Sequence, residues 1–297
     1  MPMHAMTTVH RGHFRWTMSQ NHVHPKMIDH PLPDDWKELQ SGVKRLLRNI
    51  GLDAEAEVEV ETPRGKVELD VFAVDVHSVD KIRYVVECKN WNASIPQTVV
   101  HAFTTVMHET GGNIGFIVSK HGLQSGAEQY TRNTNITGLT YLELQQRYFK
   151  VWWERYFCPR VGDAADRVME YVEPFSPVRT ERCNDLDPKA LEEFERLQAI
   201  YALPVNAFSM FNFRSITPGW EPNEFTAAPT SLDSYIRETL VKISPHVRWR
   251  CATFRELLEG ILNFLHDAET AFNALFGGHI NERDPITNVG PDGPALD

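Results

Sequence analysis

Hydrophobic and polar residues alternate with two different periods along the first half of the chain. Between residues 33 and 51, apolar side chains recur at helical spacing, with Asp34 or Asp35 at the start and Gly51 at the end, which predicts an amphipathic helix. Its predicted apolar stripe comprises Trp36, Leu39, Val43, Leu46, Leu47 and Ile50. The period then changes to two in the runs EAEVEVE and VELDVFAVD, which flank the turn sequence TPRGK. This second pattern predicts a β-hairpin.

Strands and helices alternate after the hairpin. The segment IRYVVECK, residues 82–89, predicts a third strand, and helical patterns follow at about residues 96–109 and 124–133. Strands are predicted at NIGFIVS and GLTYLEL, and a last helix at QQRYFKVWWERYF. The order α-β-β-β-α-β-α-β-α predicts an α/β domain over residues 31–157. In it, helices sandwich a mixed β-sheet whose antiparallel hairpin leads into parallel βαβ units.

The two ends of the chain carry weaker patterns. Residues 1–30 contain six histidines and no regular period, so we expect a flexible leader. The segments CPRVGDAADRV and EPFSPVRTERCNDLDP, which follow residue 157, have the composition of linkers. Helices are predicted at about residues 188–202, 231–243 and 253–276, and the final NERDPITNVGPDGPALD is expected to be disordered. Residues 158–297 are therefore predicted to form a mainly α-helical accessory region with a disordered tail.

Charge and composition narrow the class of protein. The net charge of −10 argues against a protein coated in basic residues for nucleic acid, although a local basic groove is compatible with it. Most of the acidity lies in residues 158–297, so a homodimer contact or a protein partner fits that region better than a DNA surface. No apolar run approaches the roughly 20 residues that cross a bilayer, and the start lacks a secretory signal. We expect a cytoplasmic protein without membrane contact.

Charged residues at the end of the third predicted strand suggest chemistry. Glu87 and Lys89 flank Cys88, and alternation places them on one face of the strand, about 6.6 Å apart at roughly 3.3 Å per residue. If the second and third strands pair through VHSVDK, Asp70 lies beside them. Two carboxylates and a lysine suit a hard divalent cation and a water nucleophile. The alternative is a cluster of ion pairs on an exposed sheet face.

These residues resemble a known motif. Asp70, separated by sixteen residues from Glu87-Cys88-Lys89, resembles the PD-(D/E)XK nuclease superfamily, whose motif places Asp on one strand and Glu/Asp-x-Lys on the next. The similarity is closest to the Mrr-like restriction endonuclease family. The segment GGNIGFIVSKHGLQSGAEQYTRNTNITGLTYLEL is similar to that family's succession of strand, helix start and strand, with Leu123 where Phe is usual. The resemblance covers about residues 33–157.

The resemblance implies a Mg²⁺-dependent endonuclease that hydrolyses DNA, most simply double-stranded, with Mn²⁺ able to substitute. Asp70 and Glu87 would be metal ligands together with the backbone carbonyl of Cys88. Lys89 would orient or deprotonate the attacking water and stabilise charge. The family context suggests restriction of foreign or modified DNA in a prokaryote.

Three further residues are candidates for supporting the site. The family often carries a glutamate on the first helix; here Gln40 occupies that position, with Glu38 half a turn away. Gln97, at the start of the next helix, is a candidate near the metal or phosphate, or simply a surface residue.

Several alternatives stay open at the level of sequence. An RNA-directed or DNA-repair nuclease could use the same core. The neutral Gln40 also keeps open a non-catalytic module with a nuclease-like fold that binds nucleic acid or protein. Trp91, just after the motif, could stack on a base or pack into the core.

Overall fold

The computed structural model describes residues 26–216 and 221–281, with the side chains of residues 214–216 left out. Its first part is a five-stranded sheet with helices on both faces. In chain order the elements are α1 (Trp36–Asn49), β1 (Asp53–Thr62), β2 (Gly65–Val74), β3 (Arg83–Lys89), α2 (Gln97–Thr110), β4 (Ile114–Ser119), α3 (Ser125–Thr131), β5 (Ile136–Thr140) and α4 (Tyr141–Trp152).

The sheet has the predicted mixed topology. Its strands lie in the order β1-β2-β3-β4-β5. β1 pairs antiparallel with β2, and β2 pairs antiparallel with β3, whereas the β3–β4 and β4–β5 pairs are parallel. The α/β fold and the hairpin leading into βαβ units are therefore confirmed.

Two clusters of buried side chains lie on the two faces of the sheet. Val86 faces the first cluster, which α1 and α4 complete with residues such as Leu46 and Phe149. Val85 faces the second, which α2 and α3 cover. Gly42 lets α1 and α4 approach closely, because a Cβ there would lie 2.5 Å from the hydroxyl oxygen of Tyr141. The sheet is thus sandwiched as predicted.

Trp36 departs from the predicted apolar stripe of α1. The other members of the stripe are buried, but the Trp36 side chain is 48 % exposed. It is the first residue of the helix, directly after the N-cap Asp35, so it projects beyond the region where α1 meets the sheet. Placing Trp36 in the core was wrong.

The end of the last predicted strand is helical. β5 stops at Thr140, and Tyr141 begins α4, so the sequence YLEL belongs to the helix. Thr140 and Glu143 form a capping box in which each side chain accepts the backbone N–H of the other. This motif satisfies two donors that the first helical turn leaves free, which starts the helix at that point.

The predicted linker after residue 157 is also wrong. A π-helical segment (Trp153–Phe157) joins α4 to α5 (Cys158–Val172), so the helical run continues from the nuclease-like part without interruption. α5 buries residues at helical spacing, among them Val161, Ala165 and Val168. The second predicted linker contains a short helix, α6 (Pro177–Asn184), whose N-cap is Ser176.

The remaining helices pack against this run. They are α7 (Pro188–Ile216), α8 (Leu232–Ser234), a second π-helical segment (Tyr235–Leu240), α9 (Val241–Ile243) and α10 (Phe254–Phe276). α7 extends beyond the predicted end at residue 202 and includes Pro204. No helix in the described ranges is both long and apolar enough to span a bilayer.

The predicted boundary at residue 157 crosses a continuous core. Phe149 and Trp153 pack against Phe254 of α10, with ring centroids 4.7 Å and 6.0 Å away. All three are buried, and they belong to the same cluster as the core of the sheet. The division into a nuclease domain and an accessory region stays a prediction, but the two parts share one hydrophobic core.

The last residues of the predicted leader are anchored in this core. Ile28 is fully buried, and its carbonyl and that of Met27 accept hydrogen bonds from the start of α10. Asp29 is 7 % exposed and forms ion pairs with Arg45 of α1 and Arg255 of α10. The prediction that the flexible leader extends to residue 30 is therefore wrong for residues 28–30. Residues 1–25 and most of the predicted C-terminal tail lie outside the described residues.

Candidate active site

Asp70 lies where β2 leaves β3. The antiparallel pairing of the two strands ends at Val71 and Val86, so Asp70 follows directly beyond the last pair. The backbone N–H of Cys88 donates a hydrogen bond of 2.7 Å to Asp70 Oδ2. The carboxylate thus replaces the next ladder hydrogen bond, which fixes the side chain against the end of β3.

Glu87 and Lys89 lie at the carboxyl end of the sheet, opposite Ile117 and Ser119 of the parallel strand β4. The Lys89 ammonium group contacts Glu87 Oε1 and lies 3.8 Å from Asp70 Oδ2. The three side chains are between 23 % and 26 % exposed. They are accessible to a ligand, yet shielded enough for their charges to interact more strongly than at an open surface.

The protonation of this group follows from its burial. Desolvation raises the pKa of Glu87, with the Asp70 charge adding to the effect and Lys89 opposing it. For Lys89, desolvation lowers the pKa, but the hydrogen bond and charge of Glu87, with the charge of Asp70, outweigh it and leave the pKa raised. The two carboxylates therefore favour the cationic form of Lys89.

The thiol of Cys88 takes no part in this chemistry. The residue is 5 % exposed and belongs to the first core cluster. Burial, reinforced by the carboxylates of Asp70 and Glu87, raises its pKa well above the usual value. A neutral thiol is a poor metal ligand. Any contribution of Cys88 to a cation would come from its main chain, as the sequence analysis expects.

Gln40 is brought to the site, whereas Glu38 and Gln97 are not. Gln40 is 4 % exposed, and its Nε2 donates a hydrogen bond of 2.8 Å to Asp70 Oδ1. Glu38 instead accepts from the backbone N–H of Asp34 at the start of α1. Gln97 pairs with His101 on the exposed side of α2. Of the three supporting candidates, only Gln40 contacts a member of the catalytic motif.

The donor set fits a hard divalent cation. Each oxygen of Asp70 accepts one hydrogen bond and keeps a free lone pair, and Glu87 lies within reach of the same lysine. No cluster of three or more His, Cys, Asp or Glu side chains in the described part of the chain is arranged to hold a metal. Mg²⁺ would rest here on two carboxylates, main-chain oxygen and water, a combination that it accepts.

An open cleft of about 520 Å³ borders Asp70, Cys88 and Lys89. Its other walls are Asp34, Asp35, Trp36, Asn90 and Trp91. Trp91 is 45 % exposed, so it does not serve the core. Sequence reasoning did not anticipate this rim, because the residues before α1 meet those after β3 only in the fold. Asn90 Nδ2 supplies the link by donating to the backbone carbonyls of Pro33 and Asp34.

A second pocket, of about 190 Å³, lies around Asp29. It is lined by residues such as Arg45, Arg255 and Glu256, and by none of Asp70, Glu87 and Lys89. We therefore place the chemistry in the larger cleft, which contains both the lysine and a carboxylate of the motif.

Part of the chain is similar to a known protein family. Residues 34–148 match the sequence model of a family described as restriction endonuclease, Mrr catalytic type. No curated protein matches the chain. A crystal structure titled as that of a protein of unknown function, AF1548, aligns with 18 % identity and a TM-score of 0.34, over 61 % of this chain and 98 % of the other. The matched residues contain Asp70, Glu87 and Lys89 together with Gln40, so the segment 34–148, about two fifths of the chain, is similar to the restriction endonuclease family.

Proposed function

We propose that the protein is a Mg²⁺-dependent endonuclease that hydrolyses phosphodiester bonds of DNA. The observation that supports this most directly is the convergence of Asp70, Glu87 and Lys89 at the open end of the sheet, beside a cleft. An ordinary exposed ion pair needs neither a cleft nor a second carboxylate. The restriction endonuclease match over residues 34–148 supports DNA as the substrate.

Each residue has a distinct role in this proposal. Asp70 and Glu87 would hold the cation together with the backbone carbonyl of Cys88. When bound, such an ion neutralises phosphate charge and lowers the pKa of water. Lys89, held cationic by the two carboxylates, orients the attacking water and stabilises the negative charge that develops on the phosphate. The raised pKa of Lys89 supports this electrostatic role.

Gln40 positions Asp70 rather than binding the ion through charge. Its amide donates to one oxygen of Asp70 while the backbone N–H of Cys88 donates to the other. The carboxylate is thereby fixed in orientation before any ligand arrives. Such preorganisation reduces the reorganisation required when a cation binds.

The biological setting belongs to the same proposal. The family match supports restriction of foreign or modified DNA, an activity of the prokaryotic cytoplasm, and double-stranded DNA is the expected substrate. A homodimer or a protein partner bound through residues 158–297 stays a prediction.

Cleavage assays with plasmid DNA and with structured RNA test the proposal. Supercoiled plasmid should be nicked or linearised with Mg²⁺ or Mn²⁺, and cleavage should stop in EDTA, because the carboxylate pair has no catalytic use without the ion. Full activity in EDTA would contradict the mechanism. Cleavage of RNA alone would favour an RNA-directed nuclease, and binding without cleavage of either would favour a non-catalytic module.

A further inference from the structure

Two exposed indole rings border the catalytic cleft. The side chains of Trp36 and Trp91 are 48 % and 45 % exposed, and both line the cleft with Asp70 and Lys89. A large aromatic side chain gains most from burial, so exposure of two at one cleft marks a binding surface. Asn90 holds this rim together, since its amide contacts the carbonyls of Pro33 at 3.5 Å and Asp34 at 3.3 Å.

Charge around the cleft limits what the indoles can bind. Asp34, Asp35 and Asp70 line the cleft, and Lys89 is the single cationic side chain among its described lining residues. The Lys37 ammonium lies over one face of Trp36, 5.3 Å from the ring centroid, and offsets part of the charge of Asp34 and Asp35. Within the cleft lining, a phosphate is repelled by these carboxylates and attracted to Lys89. The indole faces therefore suit an uncharged, flat group attached to a phosphate held at Lys89.

A nucleobase is such a group, but only when it is unpaired. The cleft volume of about 520 Å³ is in the range of roughly 300–1,000 Å³ typical of small-ligand sites. In a duplex, each base is covered by its neighbours, whereas a single-stranded base offers its face to aromatic side chains. Stacking on indole requires little sequence preference, because every base has a π-face.

We propose that Trp36 and Trp91 bind an unpaired base beside the phosphate at Lys89, so that double-stranded DNA containing unpaired nucleotides is the preferred substrate of this site. This inference rests on the proposed function and specifies its substrate. The phosphate contacts the lysine and the carboxylate-held cation, while the base of an adjacent nucleotide stacks on the rim.

The test measures binding without cleavage. Fluorescence anisotropy in EDTA compares the full chain on a labelled duplex with a three-nucleotide single-stranded gap and on the same duplex fully paired. Wild type should prefer the gapped DNA, and Trp36→Ala or Trp91→Ala should each reduce that preference by about 5- to 100-fold, the range expected for loss of one base–aromatic stack. Trp91→Phe, which keeps an aromatic face, should retain most of the preference.

The matched control is Phe175→Ala, which removes a 90 % exposed aromatic side chain outside the cleft. It should change neither the affinity for gapped DNA nor the affinity for fully paired DNA. Thermal melts check that each variant is folded. Equal wild-type binding to the two DNAs, no binding to either, or equal weakening of both by the tryptophan variants would overturn the inference. The plasmid cleavage assay with Mg²⁺ tests the proposed function separately. If the plasmid is cleaved but the gapped and paired DNAs bind equally in EDTA, the proposed function stands and only the inference about base stacking is rejected.

Discussion

At the scale of single residues, substitution of Lys89 distinguishes a catalytic role of this side chain from a purely structural one. We expect Lys89→Ala to lower DNA cleavage by about 10²-fold or more, the usual scale for losing a group that stabilises charge in the transition state. Its ion pair with Glu87 is partly exposed, so its loss should cost about 1 kcal/mol or less of stability. A plasmid-nicking assay beside a thermal melt measures both effects.

A matched lysine provides the control for this substitution. Lys66 pairs with Glu59 on the β1–β2 hairpin, away from the cleft, and Lys66→Ala should preserve cleavage. If Lys89→Ala were destabilised yet fully active, the catalytic assignment of the motif would be wrong.

Gln40 offers a substitution that should separate metal affinity from stability. In Gln40→Glu, a second carboxylate replaces the amide that donates to Asp70 Oδ1. Without metal, the buried carboxylate introduced at position 40 and the partly buried Asp70 carboxylate should repel each other and lower the melting temperature of Gln40→Glu. With Mn²⁺, the added ligand charge should strengthen binding, so that calorimetry gives a lower Kd than wild type. Unchanged stability and unchanged Mn²⁺ affinity would show that Gln40 does not position Asp70.

The raised pKa of Glu87 gives a prediction for the pH dependence of metal binding. Because its pKa is raised, mainly by burial, it takes up a proton at higher pH than an ordinary glutamate. The metal-free folded state then binds this proton more tightly than the unfolded chain, so the contribution of Glu87 to stability is present at low pH and is lost as pH rises through the folded pKa. Metal binding has the opposite sign, since only the ionised carboxylate is a ligand, and should weaken as pH falls.

Calorimetric titration with Mn²⁺ at about pH 5 and about pH 7.5 measures this dependence. Glu61→Gln, which changes an exposed glutamate of the hairpin, should follow wild type. Equal Mn²⁺ affinity at the two pH values would refute the role of Glu87 as a ligand.

The proximity of Asp70, Glu87 and Lys89 could be predicted from the sequence, because two simple rules sufficed. Strand alternation put Glu87 and Lys89 on one face, and hairpin pairing brought Asp70 beside them. Gln40 was located by its position relative to the family, but its hydrogen bond to Asp70 depends on the packing of α1 on the sheet. The prediction for Trp36 was wrong because its spacing matches the apolar stripe of α1, but the first residue of the helix lies outside the core.

At the scale of elements, α10 completes the core that the sheet begins. Phe254 is fully buried against Phe149 and Trp153. We expect Phe254→Ala to lower the free energy of unfolding by about 3–5 kcal/mol, through lost burial and a residual cavity. Denaturant unfolding measures the change. Phe213→Ala, at a 50 % exposed position of α7, is the control and should stay within about 0.5 kcal/mol of wild type.

Local signals explain which element boundaries were predictable. The ends of α1 and α10 follow from capping residues and glycine, and the predictions for them were close. The capping box of Thr140 and Glu143 marks the start of α4 equally locally. The surrounding apolar run GLTYLEL has a strand-like pattern, so the helix start was not predicted. α5 was harder, because Pro159 and Gly162 suggest a linker, whereas proline is tolerated in the first turn of a helix.

At the scale of the whole molecule, the shared core predicts that the nuclease part does not fold alone. A fragment of residues 26–158 would expose Phe149, Trp153 and Phe157, each at most 1 % exposed in the structure. We expect it to be insoluble or to lack a cooperative melt, although the sequence analysis places a domain boundary at that point. Solubility, dye binding and calorimetry measure this, with residues 26–281 as the control. A cooperative melt of the short fragment would restore the two-domain division.

The boundary could not be inferred from sequence for a physical reason. Periodicity shows which face of a helix is apolar, but not which element covers it. The apolar residues of the segment VWWERYF fit a domain core and an interdomain contact equally well. Contacts such as Trp153 with Phe254 join residues about 100 positions apart and become visible only in three dimensions.

The position of α10 has a consequence for protein synthesis. Ribosomes add about 5–20 residues per second, so roughly 5–20 s separate the synthesis of Trp153 from that of Phe254. During that interval the aromatic cluster of α4 has no cover, and α1, which carries Gln40 to Asp70, lacks its anchor from Asn49 to Arg255. A nascent chain therefore holds every residue of the catalytic motif well before it can fix them in place. We expect the proposed nuclease activity to appear only after α10 has been synthesised.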